Sequence, residues 1–191
     1  MIATTIRLDS SIDLNDVAGN DGFLFVRNGV GFAGRGVAMR MTFSEVAQTL
    51  RLINHVNQTD LNVSPIALGV LPFDVEAPAN FLIPRQTVGK DTDGNCWLTT
   101  IDDASQSIEV AVAPRAQANE YLVKPLTPIE QYQSAVTQAR QAVRDGLITK
   151  AVIAREILIE AKNQIDVHAV LLRLRSSFSN SYRYSLDGFI G

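Results

Sequence analysis

Hydrophobic and polar residues are arranged in two different ways along this chain of 191 residues. From Thr4 to about Val112 the apolar runs are short or alternate with polar residues, and Gly, Asn, Asp and Pro separate them. This pattern is typical of β-strands joined by turns. Further along, apolar residues recur at helical spacing before strand-like runs return. We therefore expect a strand-rich segment over 1–112, a linker-like segment over 113–127, and a helix-strand-helix-strand segment over 128–191.

The clearest local signal in the first segment is a β-hairpin from Gly22 to Ala33. Asn28-Gly29 separates two apolar runs, and Asn-Gly is the favoured pair of a type I′ turn because both turn positions need positive φ. The run from Thr42 to Glu45 predicts the start of a helix, with Thr42 or Ser44 as its N-cap, and this helix should end near residues 54–57. Further strands are predicted over 66–71, 80–83, 96–101 and 107–112.

The stretch that begins at Thr127 carries the most complete helix signal in the chain. Thr127 is a candidate N-cap, Pro128 suits the first helical position, and Glu130 completes a capping box. An apolar stripe follows, and Gly146 is well placed to end the helix. The predicted elements that come next are a strand over 150–159, a helix capped by Asp166 and a final strand over 182–190.

Composition favours one sizeable globular core and excludes several classes of partner. The chain is 46% hydrophobic with a net charge of -3, and its 17 Lys and Arg are scattered, so no nucleic-acid surface is expected. No window approaches the roughly 18 apolar residues that span a bilayer, and no secretory leader is recognisable, so we expect a cytoplasmic protein without a membrane partner.

Cys96 is the single cysteine and is expected to be a buried structural thiol. His55 and His168 lack metal-ligand spacing, and His168 is expected at the surface.

A lysine stands alone at the start of an apolar run in Lys150-Ala-Val-Ile-Ala-Arg155. Taken alone, it is a solvated lysine after a turn, since buried lysines are rare. Together with the run from Ser181 to Gly191, however, this motif resembles the chorismate-utilising enzymes, most closely their isochorismate synthase branch. The segments 68–74 and 82–85 also resemble that family's "G-x-x-P-F" strand and its "I-P-R" successor, in the same order.

The resemblance implies a fold, a reaction and a role for Lys150. The fold would be α+β, a mainly antiparallel sheet with outer helices, and this chain would be the N-terminal part of a single domain whose C-terminal half is absent. Chorismate would be the substrate, and Lys150 the general base that deprotonates the attacking water. A lysine can serve as a base only when neutral, a form that partial burial and a nearby cation favour. The cofactor would be Mg²⁺, whose glutamate ligands, like the catalytic acid, would follow Gly191.

The resemblance leaves alternatives open. The product would feed menaquinone, siderophore or salicylate synthesis, and salicylate synthase keeps the same lysine. A non-catalytic remnant is the alternative outside enzymes, because half a sheet leaves an open edge and an apolar face that would pair with another chain. The fragment alone is predicted to be inactive.

We expect Glu156 and Asp187 to face solvent or a neighbouring cation and Arg155 to form an ion pair. Tyr182 and Tyr184 are expected to pack, and the glycine-rich run 29–36 to belong to the hairpin rather than to a nucleotide loop.

Overall fold

The computed structural model describes residues 1–9, 11–74, 76–112 and 118–191. The chain divides into two units. Unit 1 comprises Met1–Pro114 and Asp166–Gly191, and unit 2 comprises Arg115–Ile165. Within the described residues, no helix is long and apolar enough to cross a membrane.

Helices and strands are numbered here in chain order. The strands are β1 (Ile2–Leu8), β2 (Phe23–Arg27), β3 (Val30–Thr42), β4 (Asn54–Asn57), β5 (Leu68–Val70), β6 (Asn80–Lys90), β7 (Cys96–Ile101), β8 (Tyr121–Pro125), β9 (Ile157–Ala161), β10 (Arg183–Leu186) and β11 (Phe189–Ile190). The helices are α1 (Leu14–Ala18), α2 (Phe43–Leu52), α3 (Ile129–Arg144) and α4 (Val167–Ser177). The predicted α+β class is confirmed.

Unit 1 is built on a nine-stranded, mainly antiparallel sheet. The strand order is β11-β10-β2-β3-β6-β7-β1-β4, and β5 pairs with β6 beside this path. The pair of β1 and β4 is parallel, whereas the other pairs in this sheet are antiparallel. The sheet therefore has the β10–β11 hairpin at one edge and the short parallel strand β4 at the other.

The predicted hairpin is confirmed. Asn28 and Gly29 have positive φ values of 52° and 77°, and β2 pairs with β3 up to Arg27↔Val30 on either side of them. The glycine-rich run lies in this hairpin, as expected. Of the two expected N-caps, Thr42 is the one that begins α2. It forms a capping box with Glu45, whose carboxylate accepts hydrogen bonds from the backbone N–H and hydroxyl of Thr42, at 2.8 and 2.7 Å.

Three predicted elements of unit 1 need correction. Residues 54–57 are not the end of a helix but form β4, paired with β1 from Ile2↔Asn54 onward. Residues 107–112 are not a strand: the Ala111 N–H donates to the Asp16 carbonyl at 2.7 Å, outside any ladder. The final strand is a hairpin, because Asp187 and Gly188 turn the chain with φ values of 47° and 89°.

Strand β6 runs further than its predicted span of 80–83, straight through Pro84. Its first residues, 80–82, pair with β5, whereas 86–90 pair with β7. Pro84 lies between these two partners, so its missing N–H interrupts neither ladder. On the other side of β6, the β3 ladder has an irregularity between Val37 and Met39, next to the same proline.

Apolar residues cover both faces of the unit 1 sheet. Successive strand residues point to opposite faces, so each strand contributes to two clusters. Leu98 of β7 and Ile6 of β1 belong to one cluster, whereas Ile101 of β7 and Ala3 of β1 belong to the other. One cluster packs under α1 and α4, and the other includes residues of α2. The buried members of the first are Leu14, Val17, Ala18, Leu24, Val26, Ala33, Val88, Cys96, Leu98 and Leu171. Burial of Cys96 is confirmed, and this burial raises the pKa of its thiol.

His168 is buried, so the prediction that it lies at the surface is wrong. Its side chain is 2% exposed, and its Nε2 lies 2.8 Å from Oδ1 of Asp16. Its backbone N–H donates to Oδ1 of Asn20 at 3.0 Å. These contacts join the first turn of α4 to α1 and the residues that follow it, across 148 to 152 positions of sequence.

Unit 2 consists of α3 and a separate ladder of β8 and β9. The helix α3 is confirmed, and Gly146 ends it with a φ of 72°. Strand β8 lies within the linker-like segment 113–127, of which residues 113–117 fall outside the described residues. It pairs with β9 from Tyr121↔Ala161 to Pro125↔Ile157, and Lys124 and Glu160 form an ion pair across the ladder at 2.9 Å.

Candidate functional site

Lys150, the predicted general base, lies in unit 2 in an irregular segment between α3 and β9. The prediction that it opens a strand is wrong, since β-structure begins at Ile157. The reason is that β8 ends opposite Ile157, at Pro125, so residues 150–156 have no strand to pair with in the described part of unit 2. The side chain of Lys150 is exposed, and no contact with another described residue fixes it.

The other end of this segment is fastened to the start of α3. The Glu156 carbonyl accepts hydrogen bonds from the N–H groups of Leu126 and Thr127 at 3.0 and 3.3 Å. In return, the Glu156 N–H donates to Oγ1 of Thr127 at 3.2 Å, so this hydroxyl serves the segment rather than capping α3. The segment is thus anchored at Glu156, whereas within the described residues no hydrogen bond anchors Lys150 itself.

Arg155, at the end of the same motif, lies over an aromatic ring. Its guanidinium carbon is 6.0 Å from the centroid of Tyr132 on α3, at the outer limit of a cation–π contact. The expected ion pair of Arg155 is wrong for the described residues, where no carboxylate lies within bonding distance of it. This contact lies between the segment and α3.

Glu156 and Asp187 were expected to face solvent or a neighbouring cation. Glu156 is exposed, and Asp187 forms a two-pronged ion pair with Arg40 at 2.7 and 3.0 Å, as expected. The hydrogen bond from Arg40, against some burial, lowers the pKa of Asp187. Across the described ranges, no three His, Cys, Asp or Glu side chains lie together so as to hold a metal ion.

An apolar groove lies beside β5, β10 and β11 of unit 1, and we call it the β5–β11 groove. It has a volume of about 300 Å³ and continues into a neighbouring space of about 550 Å³. Its exposed apolar side chains include Leu71, Phe73 and Phe189. The residues that line its first part are Leu24, Phe25, Leu68, Gly69, Val70, Leu71, Tyr184, Leu186 and Phe189. A contiguous apolar surface of this kind is typical of an interaction site.

The two tyrosines of the last segment pack as expected. The ring of Tyr182 stacks on Phe25 with centroids 5.4 Å apart, and Arg27 lies over the same ring at 5.1 Å. Tyr184 lines the β5–β11 groove. The sequence analysis missed Arg183, which lies between them, is 2% exposed and lines a separate cavity of about 230 Å³. Strand alternation was the available signal, since it places Arg183 on the opposite face from both tyrosines.

Residues 32–190 match the model of a family described as "Chorismate binding enzyme". Among curated proteins, the chain is similar to "Isochorismate synthase DhbC" of Bacillus subtilis, with 22% identity over 149 residues, which cover 78% of this chain and 33% of that protein. It is also similar to "Vibriobactin-specific isochorismate synthase" of Vibrio cholerae, with 23% identity over 177 residues, 86% of this chain and 40% of that protein.

A solved structure shows the same fold. It is a crystal structure of a Bacillus anthracis protein named as a 2,3-dihydroxybenzoate-specific isochorismate synthase, DhbC. The TM-score is 0.55 at 15% identity, over 93% of this chain and 43% of that one. The chain thus spans less than half the length of the relatives described here.

Proposed function

The chain belongs to the chorismate binding enzyme family, and on that premise we propose that it forms the lysine-bearing part of an isochorismate synthase. The substrate would be chorismate. A hydroxyl from water would be added to one ring carbon while the hydroxyl on another departs. The observation that carries the proposal is Lys150 at the head of its motif, inside the matched range 32–190. The names of the relatives support the same reaction.

In this proposal Lys150 removes a proton from the attacking water. The ε-amine must be neutral at that moment, a state that a dry pocket or a nearby cation favours. Lys150 is exposed in the chain by itself, and within the described residues no hydrogen bond anchors it. We therefore propose that protein outside residues 1–191 covers this lysine and completes the site. The anchor at Glu156 and the Arg155–Tyr132 contact would keep the motif in place for that closure.

The proposal assigns two further features to protein outside this chain. A general acid must protonate the departing hydroxyl, and Mg²⁺ would hold the substrate carboxylate. The β5–β11 groove is our proposed contact surface for the missing part, because its exposed apolar side chains gain stability when they leave water. The edge strand β11 offers backbone groups for pairing at the same place.

One alternative also has support from the structure. A non-catalytic remnant would leave both the lysine and the apolar groove uncovered, as they are in this chain alone. The two hypotheses make different predictions. An enzyme requires further coding sequence or a second chain to complete the site, whereas a remnant requires neither.

The first experiment is an assay of residues 1–191 with chorismate and Mg²⁺, followed by chromatography. We expect no isochorismate, because the acid and the metal site are assigned elsewhere. Turnover by this chain alone would show that both were misplaced. The DNA beyond the codon of Gly191 should be sequenced in parallel. A stop codon there, with no partner chain that restores activity, would favour the remnant.

The second experiment tests the base in the longer product. Lys150→Met should abolish conversion while the circular dichroism spectrum stays unchanged. The matched control is Lys162→Met, which removes an exposed lysine of the same unit that pairs with Glu120 at 3.0 Å. It should retain activity. If Lys150→Met keeps its turnover, Lys150 is not the base, although the family assignment would stand.

A further inference from the structure

The segment that carries Lys150 begins at a well-defined helix end. The Gly146 N–H donates to the Val143 carbonyl at 3.1 Å, and the Leu147 N–H donates to the Ala142 carbonyl at 2.9 Å. These two bonds form a Schellman motif, which favours positive φ at its central residue, and Gly146 has a φ of 72°. The chain is therefore fastened to the C-terminal end of α3 only a few residues before the lysine.

The same segment is fastened again at the opposite end of α3. Thr127 precedes this helix, and its Oγ1 accepts from the Glu156 N–H at 3.2 Å while its own N–H donates to the Glu156 carbonyl at 3.3 Å. Between the two fastenings lie residues 149–155, which we call the lysine span. In the described part of the chain, none of these residues makes a hydrogen bond. The shape of the lysine span is thus set mainly by its two ends.

The distance between these ends stretches the lysine span. Helix α3 has 16 residues and is therefore about 24 Å long, so the ends of the span lie roughly 20 Å apart. The eight peptide units from Ile148 to Glu156 would cover about 12 Å as a helix, about 16 Å as a flexible coil and about 26 Å as a strand. The span can therefore reach from one end to the other only in a mostly extended conformation.

The exposure of the side chains agrees with an extended chain, in which successive residues point to opposite sides. Ile153 is partly buried, and Arg155 lies over the ring of Tyr132 on α3. Val152, by contrast, is 91% exposed. Alternation places Lys150 on the same side as Val152, and Lys150 is exposed as well. The lysine is therefore directed away from α3.

From this geometry we propose that α3 acts as a strut for the lysine span, and that Gly146 and Thr127 are positioning residues for Lys150. The helix keeps the span extended. The Schellman motif sets where the span starts, and the Thr127 hydroxyl sets where it ends. Together they keep Lys150 directed away from α3, where protein outside this chain can cover it. The role of Lys150 as the base rests on the proposed function, whereas the strut does not.

Spin labels test the strut in the 191-residue chain. Labels at Lys150→Cys and at Gln131→Cys, an exposed position on α3, report by pulsed electron paramagnetic resonance how widely the distance between the span and the helix varies. Cys96 is buried, so it reacts slowly with the label. Gly146→Val should widen the distance distribution at least twofold, because a β-branched residue disfavours positive φ even though no atom lies within 4 Å of the added Cβ. The matched control is Gly146→Asn, which accepts this conformation and should leave the distribution narrow.

A second pair of variants acts at the other end of the span. Thr127→Val keeps the shape of the side chain but removes the acceptor of the Glu156 N–H, and it should also widen the distribution at least twofold. Thr127→Ser keeps the hydroxyl and should leave the distribution narrow. An unchanged distribution in both Gly146→Val and Thr127→Val would overturn the strut. If one of these two variants does not fold, the other decides, because both ends must hold for the span to stay extended.

Kinetics of the longer product test the positioning of Lys150. Gly146→Val and Thr127→Val should each lower kcat at least about tenfold with KM for chorismate nearly unchanged, because a base displaced by about 1 Å loses much of its effect. The pH at which kcat is half-maximal should also rise, since a loosened lysine spends more time in water, where its charged form is favoured. Gly146→Asn and Thr127→Ser should change neither quantity. Unchanged kcat in both valine variants would overturn the positioning role. Turnover by Lys150→Met would instead refute the proposed function, and the spin-label result would still decide the strut.

Discussion

The buried contact between His168 and Asp16 should make a large contribution to the stability of unit 1. A hydrogen bond to a charged group stabilises by about 1.5–3 kcal/mol. The Asp16 side chain is 35% exposed, so water would replace part of the bond and the lower end, about 1.5 kcal/mol, applies. In His168→Ala the loss of a side chain that is 2% exposed adds a cavity cost of about 2 kcal/mol. The expected destabilisation is therefore about 3–4 kcal/mol for alanine, and about 1–2 kcal/mol for His168→Leu, which refills the space.

Urea unfolding monitored by fluorescence measures this effect in the correct unit, because Trp97 is the single tryptophan and belongs to unit 1. A double-mutant cycle with Asp16→Asn isolates the pair, and we expect a coupling of about 1–2 kcal/mol. Asn20→Ala is a useful control, since Asn20 accepts from the backbone of His168 and should not couple to the ring. Coupling below about 0.5 kcal/mol, or a leucine variant as stable as the original chain, would refute the reasoning.

Two further predictions concern the same sheet. Gly89→Ala should destabilise by about 1–3 kcal/mol, because the added Cβ would lie 2.3 Å from the Trp97 ring; an unchanged urea midpoint would contradict this. The ion pair with Arg40 lowers the pKa of Asp187 from 3.8, so its contribution is present at neutral pH and is lost as the pH falls through the lowered value. Arg40→Gln should therefore cost less than about 1 kcal/mol at neutral pH, given the exposure of both groups, and nothing at a pH well below 3.8. A difference that persists in acid would contradict the assignment.

Elements whose determinants lie within a few residues could be predicted. The turn at Asn28, the start of α2 at Thr42, one of two expected N-caps, and the end of α3 at Gly146 depend on local backbone chemistry, and all three are confirmed. The turn of the β10–β11 hairpin is of the same kind. Asp187-Gly188 is a standard hairpin dipeptide, and the signal was present in the sequence.

Other elements are decided by distant partners, which local patterns do not reveal. Residues 54–57 form β4 only because β1 offers an edge, and residues 107–112 are apolar enough for a strand but bond to α1 instead. The same applies to the candidate sites. The motif predicted Lys150 as the general base and a strand around it, but β-structure begins only at Ile157, opposite the end of β8. The cavity beside Asn15 and Arg183 exists because α1 and β10, which are far apart in the sequence, both line it.

The last strands of unit 1 have a consequence for how the chain is made. Strand β10 pairs with β2 from Arg183↔Val26 onward, and all of unit 2 is translated between them. A nascent chain on the ribosome must therefore expose one side of β2 until residues 183–186 emerge. During that interval unit 2 can form from local contacts, whereas the large sheet is vulnerable to aggregation. The order of synthesis should therefore make folding of the nascent chain depend on chaperones, even if the folded protein is stable.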